Sequence, residues 1–182
     1  QIIKENNLPD GISSVVIGGA DLGIKMSEDQ RVPLVSATGS TRMGKAVGKA
    51  VGARLGKSLL ELGGNNAIIL SPSADLKMVI PAIVFGAVGT TGQRCTSTRR
   101  LIIHETIYDE VKQALVNAYG QLKIGNPLDE SNHVGPLIDK DAVNMYLEAI
   151  EKAKEEGAEI LLEGGVLSGL GYESGCYVKP VV

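Results

Sequence analysis

The feature that most restricts the fold is an alternation of short apolar runs with longer segments of helical periodicity. Strand-like runs at 14–17 and 33–37 lie on either side of a short helix-like segment at 21–27. A longer segment at 42–56 repeats apolar residues every fourth position along one face. Alternating strands and helices favour a parallel sheet, so the sequence predicts an α/β fold.

The rest of the chain continues this alternation. Further strands are predicted at 58–62, 67–70, 99–104, 158–162 and 177–181. A helix at 75–89 is apolar nearly all round, and we therefore expect it to be buried. Thr106 and Asp109 resemble a capping box that opens a helix reaching residue 122, and Asp139 is predicted to cap the helix that follows.

Charge and cysteine content exclude several classes of function. The 182 residues carry a formal net charge of −3, which predicts no binding to nucleic acid or to an anionic membrane. The sequence has no apolar run long enough to span a bilayer. Two cysteines in unrelated contexts do not form a disulfide framework, so we expect a reducing compartment, either the cytoplasm or the mitochondrial matrix.

Cys95 is the strongest candidate for chemistry. A lone cysteine is most often a small buried hydrophobic residue. Against that interpretation, Arg94, Arg99 and Arg100 bring positive charge, which stabilises a thiolate, and glycines before Cys95 allow close approach of a substrate. The residues alone leave both interpretations open. Cys176 has no charged neighbour in sequence and is predicted to be structural.

Glu61 and the Gly39-Ser40 turn can each be interpreted as functional or as purely structural. Glu61 lies in a short apolar strand, where it either pairs with a lysine such as Lys57 or acts as a general base whose pKa burial raises. The Gly39-Ser40 turn before the 42–56 helix is either an ordinary strand-to-helix turn or a site for pyrophosphate at the helix N-terminus. His104 and His133 are too isolated to predict a metal site.

Several motifs together resemble the aldehyde dehydrogenase superfamily over essentially the whole chain. Thr38-Gly-Ser-Thr-Arg-Met-Gly44 is similar to its cofactor turn, Leu60-Glu-Leu-Gly-Gly64 to its glutamate signature and Gly92-Gln-Arg-Cys95 to its cysteine signature. Gly125-Asn-Pro-Leu128 and Val134-Gly-Pro-Leu137 are similar to two of its turns. The order and spacing of the three signatures also resemble those of the family.

Finer details resemble the antiquitin branch of that superfamily. They include Glu61-Leu-Gly-Gly-Asn-Asn-Ala67, which has an asparagine where most relatives have a lysine, and the Ala87–Cys95 run. Two residues depart from the usual pattern. Ala37 stands where a phenylalanine is common, which is expected to loosen packing beside the cofactor turn, and Ser97 stands where many relatives have alanine or glycine, a change expected to have little effect.

The resemblance implies a mechanism and an assignment of residues. Cys95 would attack an aldehyde to give a thiohemiacetal, with its N–H as half of an oxyanion hole; hydride would pass to NAD, and Glu61 would activate water to hydrolyse the thioester. Arg94 is the candidate ligand for the carboxylate of a semialdehyde substrate. The residues expected to line the NAD pocket are Gly19, Gly39, Ser40, Met43, Gly44, Leu62 and Gly63.

The resemblance also implies an internal fragment of a longer protein. Residues 1–63 are expected to be the C-terminal part of a Rossmann-like NAD-binding domain, and 64–182 the start of the α/β catalytic domain. The full protein is expected to be a homotetramer that oxidises alpha-aminoadipic semialdehyde in lysine breakdown, whereas the fragment alone is expected to be inactive. Alternatives are a dehydrogenase of betaine or lipid aldehydes, a catalytically silent NAD-binding paralogue, and, less supported by the motifs, a cysteine hydrolase.

Overall fold

The computed structural model describes residues 1–182, which divide into two compact units, Gln1–Gly63 and Gly64–Val182. The first unit contains α1 (Ile2–Glu5), α2 (Ala20–Glu28), β1 (Leu34–Gly39), α3 (Thr41–Ala53) and β2 (Lys57–Leu62). The second contains β3 (Asn66–Leu70), α4 (Leu76–Val88), β4 (Thr98–Ile103), α5 (Tyr108–Gly120), α6 (Lys140–Glu155), β5 (Gly165–Val166) and β6 (Val178–Lys179). The predicted α/β class is confirmed. The assignment of the units to cofactor-binding and catalytic domains stays a prediction.

In the first unit, β1 and β2 form a parallel pair whose register runs from Leu34 opposite Lys57 to Gly39 opposite Leu62. The connecting helix α3 packs on β2, and its Val51 is buried. Helix α3 begins where Ser40 Oγ accepts a hydrogen bond from the Met43 N–H at 3.1 Å, an N-cap that satisfies one free backbone donor.

The strand predicted at 14–17 is wrong. Those residues adopt no regular structure, and Val15, Val16 and Ile17 are all exposed. The run is apolar, but a strand exists only where a neighbouring strand accepts and donates its backbone hydrogen bonds. No other segment of this chain provides that partner.

In the second unit, β3 and β4 form another parallel pair, and α4 and α5 pack against each other beside it. Leu70, Ile83, Val111 and Leu115 form the buried centre of this layer. The expected burial of α4 on all sides is wrong, because Met78 is 70% exposed and Phe85 is 68% exposed. One face of α4 therefore packs in this core and the other is open.

The C-terminal part corrects three more predictions. Thr106 does not cap α5: it lies in a short 3₁₀ turn, Glu105–Ile107, and its N–H donates to Nδ1 of His104. The strand predicted at 158–162 is absent, and that predicted at 177–181 is reduced to β6, which pairs antiparallel with β5. Asp139 does cap α6, as predicted, by accepting from the Ala142 N–H at 2.8 Å.

Tyr146 of α6 ties this short hairpin to the helix. Its hydroxyl accepts from the Gly165 N–H at 2.8 Å and donates to the Lys179 carbonyl at 2.6 Å, so one group bridges both strands. Burial raises the pKa of Tyr146 above its ordinary value, against the opposing effect of the Gly165 hydrogen bond. No helix in the chain has the length and apolar character needed to cross a membrane.

Candidate active site

Cys95 lies in a tight turn between α4 and β4. The Ser97 N–H donates to the Arg94 carbonyl at 3.1 Å, which closes a four-residue turn with Cys95 at its second position. The Ser97 hydroxyl closes the turn a second time by accepting from the Arg94 N–H at 3.1 Å. Cys95 itself is exposed, which disagrees with its interpretation as a small core residue.

Ser97 was not identified from the sequence as a site residue, and the structure gives it a defined position. It is only 1% exposed, and a buried hydroxyl needs a hydrogen-bond partner, which the Arg94 N–H provides. The Asn66 side chain reaches the same turn, with Nδ2 donating to the carbonyls of Cys95 at 2.7 Å and Ser97 at 3.1 Å. Neither contact could be read from the sequence, because each depends on the pairing of β3 with β4.

The segment that leads into the cysteine turn is strained. Thr90 and Thr91 have φ values of 54° and 55°, in a left-handed region that β-branched residues rarely adopt. Gly92 follows with φ of 67°, where glycine carries no such cost. Strain of this kind costs about 1–3 kcal/mol per residue and persists only where the surroundings enforce it.

The Val134-Gly-Pro-Leu137 turn helps to hold the strained segment in place through hydrogen bonds. Thr91 Oγ1 donates to the Gly135 carbonyl at 3.0 Å. Gln93, next to the strained residues, accepts from the Ile138 N–H at 2.9 Å through its side-chain oxygen and donates to the Pro136 carbonyl at 3.4 Å. Two motifs that are more than forty residues apart in sequence therefore form one hydrogen-bonded unit.

All three arginines near Cys95 in sequence donate to backbone carbonyls. Arg94 Nη2 donates to Phe85 O at 2.8 Å, and its guanidinium carbon lies 4.8 Å from the centre of the Phe85 ring. Arg99 donates to Gly92 O and Arg100 to Asn65 O, each at 2.7 Å. These side chains brace the backbone around the cysteine turn while they bring positive charge to this part of the unit.

Glu61 lies in the first unit, near the end of β2 and opposite Thr38 of β1. Its expected burial is wrong, because Glu61 is exposed in this chain and the adjacent Leu60 and Leu62 are only half-buried. The reason is that successive strand residues point to opposite faces: these two leucines face Gly48 and Gly44 of α3, and Glu61 lies on the other face. Glu61 forms no salt bridge, and the alternative pairing with Lys57 is not found.

The predicted cofactor turn has the features that a pyrophosphate needs. At the start of α3, the N–H groups of Thr41 and Arg42 have no acceptor within the chain, which leaves two donors at the positive end of a 13-residue helix. Gly39 has no Cβ, and a Cβ there would lie 2.6 Å from the Met43 methyl. The missing Cβ thus makes room for the Met43 side chain, and it is the two free donors at the start of α3 that fit the pyrophosphate of a dinucleotide.

The other predicted cofactor residues are also in the first unit. Gly44 is buried, and a Cβ on it would overlap Leu62, so the glycine lets α3 lie close to β2. Gly19 is the N-cap of α2, and Gly63 is exposed at the end of the unit. Their roles toward NAD stay predictions, as does the joint action of Glu61 with Cys95.

The histidines have structural partners. Nδ1 of His104 lies 3.0 Å from the Thr106 hydroxyl, and Nδ1 of His133 accepts from the Lys123 N–H at 3.0 Å. The structure contains no group of three or more His, Cys, Asp or Glu side chains that could hold a metal ion. Both cysteines are free thiols.

The parallel strand pairs and the exposed, braced cysteine define an α/β protein with a candidate thiol site. Residues 1–182 match the model of the Aldehyde dehydrogenase family. The chain belongs to the aldehyde dehydrogenase family.

Individual relatives narrow the comparison. Over 182 residues, the chain is 50% identical to the alpha-aminoadipic semialdehyde dehydrogenase of Rattus norvegicus and 43% identical to aldehyde dehydrogenase family 7 member B4 of Arabidopsis thaliana. All of the chain is covered, but it spans only 33% and 35% of these relatives. The structure of betaine aldehyde dehydrogenase from Staphylococcus aureus in complex with NAD+ superposes with a TM-score of 0.92 at 28% identity, covering 99% of this chain and 36% of that one.

Proposed function

We propose that the full-length protein containing this chain is an NAD-dependent dehydrogenase that oxidises alpha-aminoadipic semialdehyde to the corresponding acid. The observation that carries this proposal is the exposed Cys95 on a turn closed by two hydrogen bonds between Arg94 and Ser97. The 50% identity to a relative named for that substrate supports the choice of aldehyde. The fit of the α3 N-terminus to pyrophosphate supports the choice of cofactor.

In this proposal Cys95 acts as the nucleophile. Its thiolate forms a C–S bond to the aldehyde carbon, and the carbonyl electron pair moves to oxygen, which accepts a hydrogen bond from the Cys95 N–H. NAD, when bound, supplies the hydride acceptor. Glu61 then takes a proton from water, whose oxygen attacks the acyl carbon and releases the Cys95 thiolate.

Arg94 is proposed to recognise the carboxylate of the substrate. A bidentate contact uses two adjacent guanidinium nitrogens, so it needs either Nε or both Nη atoms. In this chain Nε is buried without a partner and Nη2 donates one of its two hydrogens to Phe85 O, which leaves Nη1 and the second hydrogen of Nη2. A carboxylate would therefore be bound by the two Nη groups, with the Phe85 contact either kept or released.

A second candidate function is a dehydrogenase of broader specificity for uncharged or quaternary aldehydes. If the contact with the Phe85 carbonyl holds the Arg94 guanidinium away from the substrate, no carboxylate ligand is left at that position. The structural similarity to a betaine aldehyde dehydrogenase is in keeping with this alternative. The two candidates share the roles of Cys95 and Glu61 and differ only in the preferred aldehyde.

An aldehyde panel separates the candidates. The full-length protein is assayed with NAD against alpha-aminoadipic semialdehyde, hexanal and betaine aldehyde, the first two having chains of the same length. We expect kcat/KM for the semialdehyde to be about ten- to a hundredfold higher, the difference that one charged hydrogen bond makes. Equal values support the broader function, and no NADH with any aldehyde supports a silent paralogue.

The assembly and the compartment are further parts of the proposal. We propose that the full-length protein is a homotetramer; this chain spans 33% of the length of its rat relative. The free state of Cys95 and Cys176 supports a reducing compartment, the cytoplasm or the mitochondrial matrix. Sedimentation of the purified protein and fractionation of cells test these two points.

A further inference from the structure

One side chain outside the predicted site holds the backbone of the cysteine turn. The Nδ2 group of Asn66 donates both of its hydrogens, one to the Cys95 carbonyl at 2.7 Å and one to the Ser97 carbonyl at 3.1 Å. The bonds within the turn join Arg94 to Ser97 and leave the Cys95 carbonyl without any other donor. Asn66 is therefore the group that fixes the peptide immediately after the cysteine.

The local backbone is arranged to allow this contact. The parallel register of β3 and β4 shifts at this point: Asn66 lies opposite Thr98, but Ala67 lies opposite Arg100, so Arg99 is an extra residue in β4. A Cβ on Gly64 would lie 3.1 Å from the Asn66 amide oxygen and 3.4 Å from the Cys95 carbonyl. The irregular register and the glycine together leave space for the amide between the strand and the turn.

We propose that Asn66 is a positioning residue for the Cys95 nucleophile, an inference that rests on the proposed function. The thiol is exposed, so side-chain packing does little to hold it, and its direction follows from the backbone of residue 95. Rotation of the peptide after Cys95 moves the sulfur relative to a bound aldehyde. A displacement of about 1 Å in a reacting group costs on the order of a hundredfold in rate.

Kinetics of variants of the full-length protein test the positioning role. Asn66→Ala removes the donor, and Asn66→Asp keeps the shape but presents an acceptor to two carbonyl oxygens. We expect both variants to lower kcat about ten- to a hundredfold with little change in KM, and the Asp variant to be no better than Ala. Asn65→Ala is the matched control, because the Asn65 side chain makes no hydrogen bond, and it should keep kcat within about twofold. An Asp variant with the kcat of the unaltered protein overturns the proposal.

Hydrogen exchange needs no aldehyde and tests the clamp, meaning the two hydrogen bonds from Asn66 to the Cys95 and Ser97 carbonyls. In Asn66→Ala, amide exchange at Arg94 and Ser97, whose N–H groups close the turn, should rise about tenfold or more, with no change in α5. Unchanged exchange at these two amides overturns the clamp, whatever the enzyme does. If exchange rises while kcat is unchanged in an active enzyme, the positioning role is overturned. If the unaltered protein oxidises no aldehyde, the proposed function fails and exchange alone decides the clamp.

Discussion

Replacing Ser97 with alanine should destabilise the cysteine turn, although the sequence alone predicts little effect at this position. In the structure, Ser97 is almost completely buried and its Oγ is the acceptor for the Arg94 N–H at 3.1 Å. Alanine keeps the Cβ and removes that acceptor, so a backbone donor is left unpaired beside a packed residue. An unpaired donor of this kind costs about 1–3 kcal/mol, and the half-exposed Arg94 places the expected value at about 1–2 kcal/mol.

Urea unfolding of the full-length protein, followed by circular dichroism, measures this cost. The midpoint should fall while the slope of the unfolding free energy against urea concentration stays constant. Ser73→Ala is the matched control, because Ser73 is exposed and its hydroxyl contacts only the nearby Ser71 hydroxyl. We expect that control to change stability by less than about 0.5 kcal/mol. If Ser97→Ala is as stable as the control, the hydroxyl does not stabilise the turn.

Two further variants test other contacts. Arg94→Met should lower kcat/KM about ten- to a hundredfold more for alpha-aminoadipic semialdehyde than for hexanal; equal losses would leave Arg94 only its contact with the Phe85 carbonyl. Tyr146→Phe should lower the free energy of unfolding by about 1–3 kcal/mol at neutral pH, because the Gly165 N–H and the Lys179 carbonyl both lose their partner. Burial raises the Tyr146 pKa in the folded state, so this stability is present below the ordinary tyrosine pKa of about 10 and is lost as pH rises further. The melting temperatures of the unaltered protein and of Tyr146→Phe should therefore differ less above about pH 10 than at about pH 8. A difference that does not change with pH would contradict the bridging role of the Tyr146 hydroxyl.

Strands β1 to β4 and helices α2 to α6 were predictable from the sequence, whereas α1 and β5 were not. The runs now seen as β1 to β4 each have a parallel neighbour, and α3 and α6 each begin at a side chain whose oxygen accepts from the first turn, Ser40 and Asp139. The apolar runs and the capping residues are local in sequence, which is why periodicity and capping preferences find them, whereas the pairing of the strands is not local.

The errors have a common physical cause. The apolar run at 14–17 was predicted to form a strand, and α4 was predicted to be buried on all sides. Both outcomes need a partner strand or a packing surface from elsewhere in the fold, which the local sequence does not specify. The same holds for the cysteine turn. Asn66 and Ser97 act through contacts across the β3–β4 pair, whose register shift no sequence pattern indicates. Cys95 was identified as a candidate because its neighbours in sequence carry chemical information of their own.

Cys95 and Glu61 are proposed to serve two successive halves of one reaction, and rapid-mixing absorbance of NADH follows both halves separately. In the full-length protein, Glu61→Gln should give a burst of about one NADH per active site, followed by turnover slowed about a hundredfold or more, because the acyl enzyme forms but is not hydrolysed. Cys95→Ala should give no NADH at all. Unchanged steady-state turnover in Glu61→Gln, or any turnover in Cys95→Ala, would contradict the account.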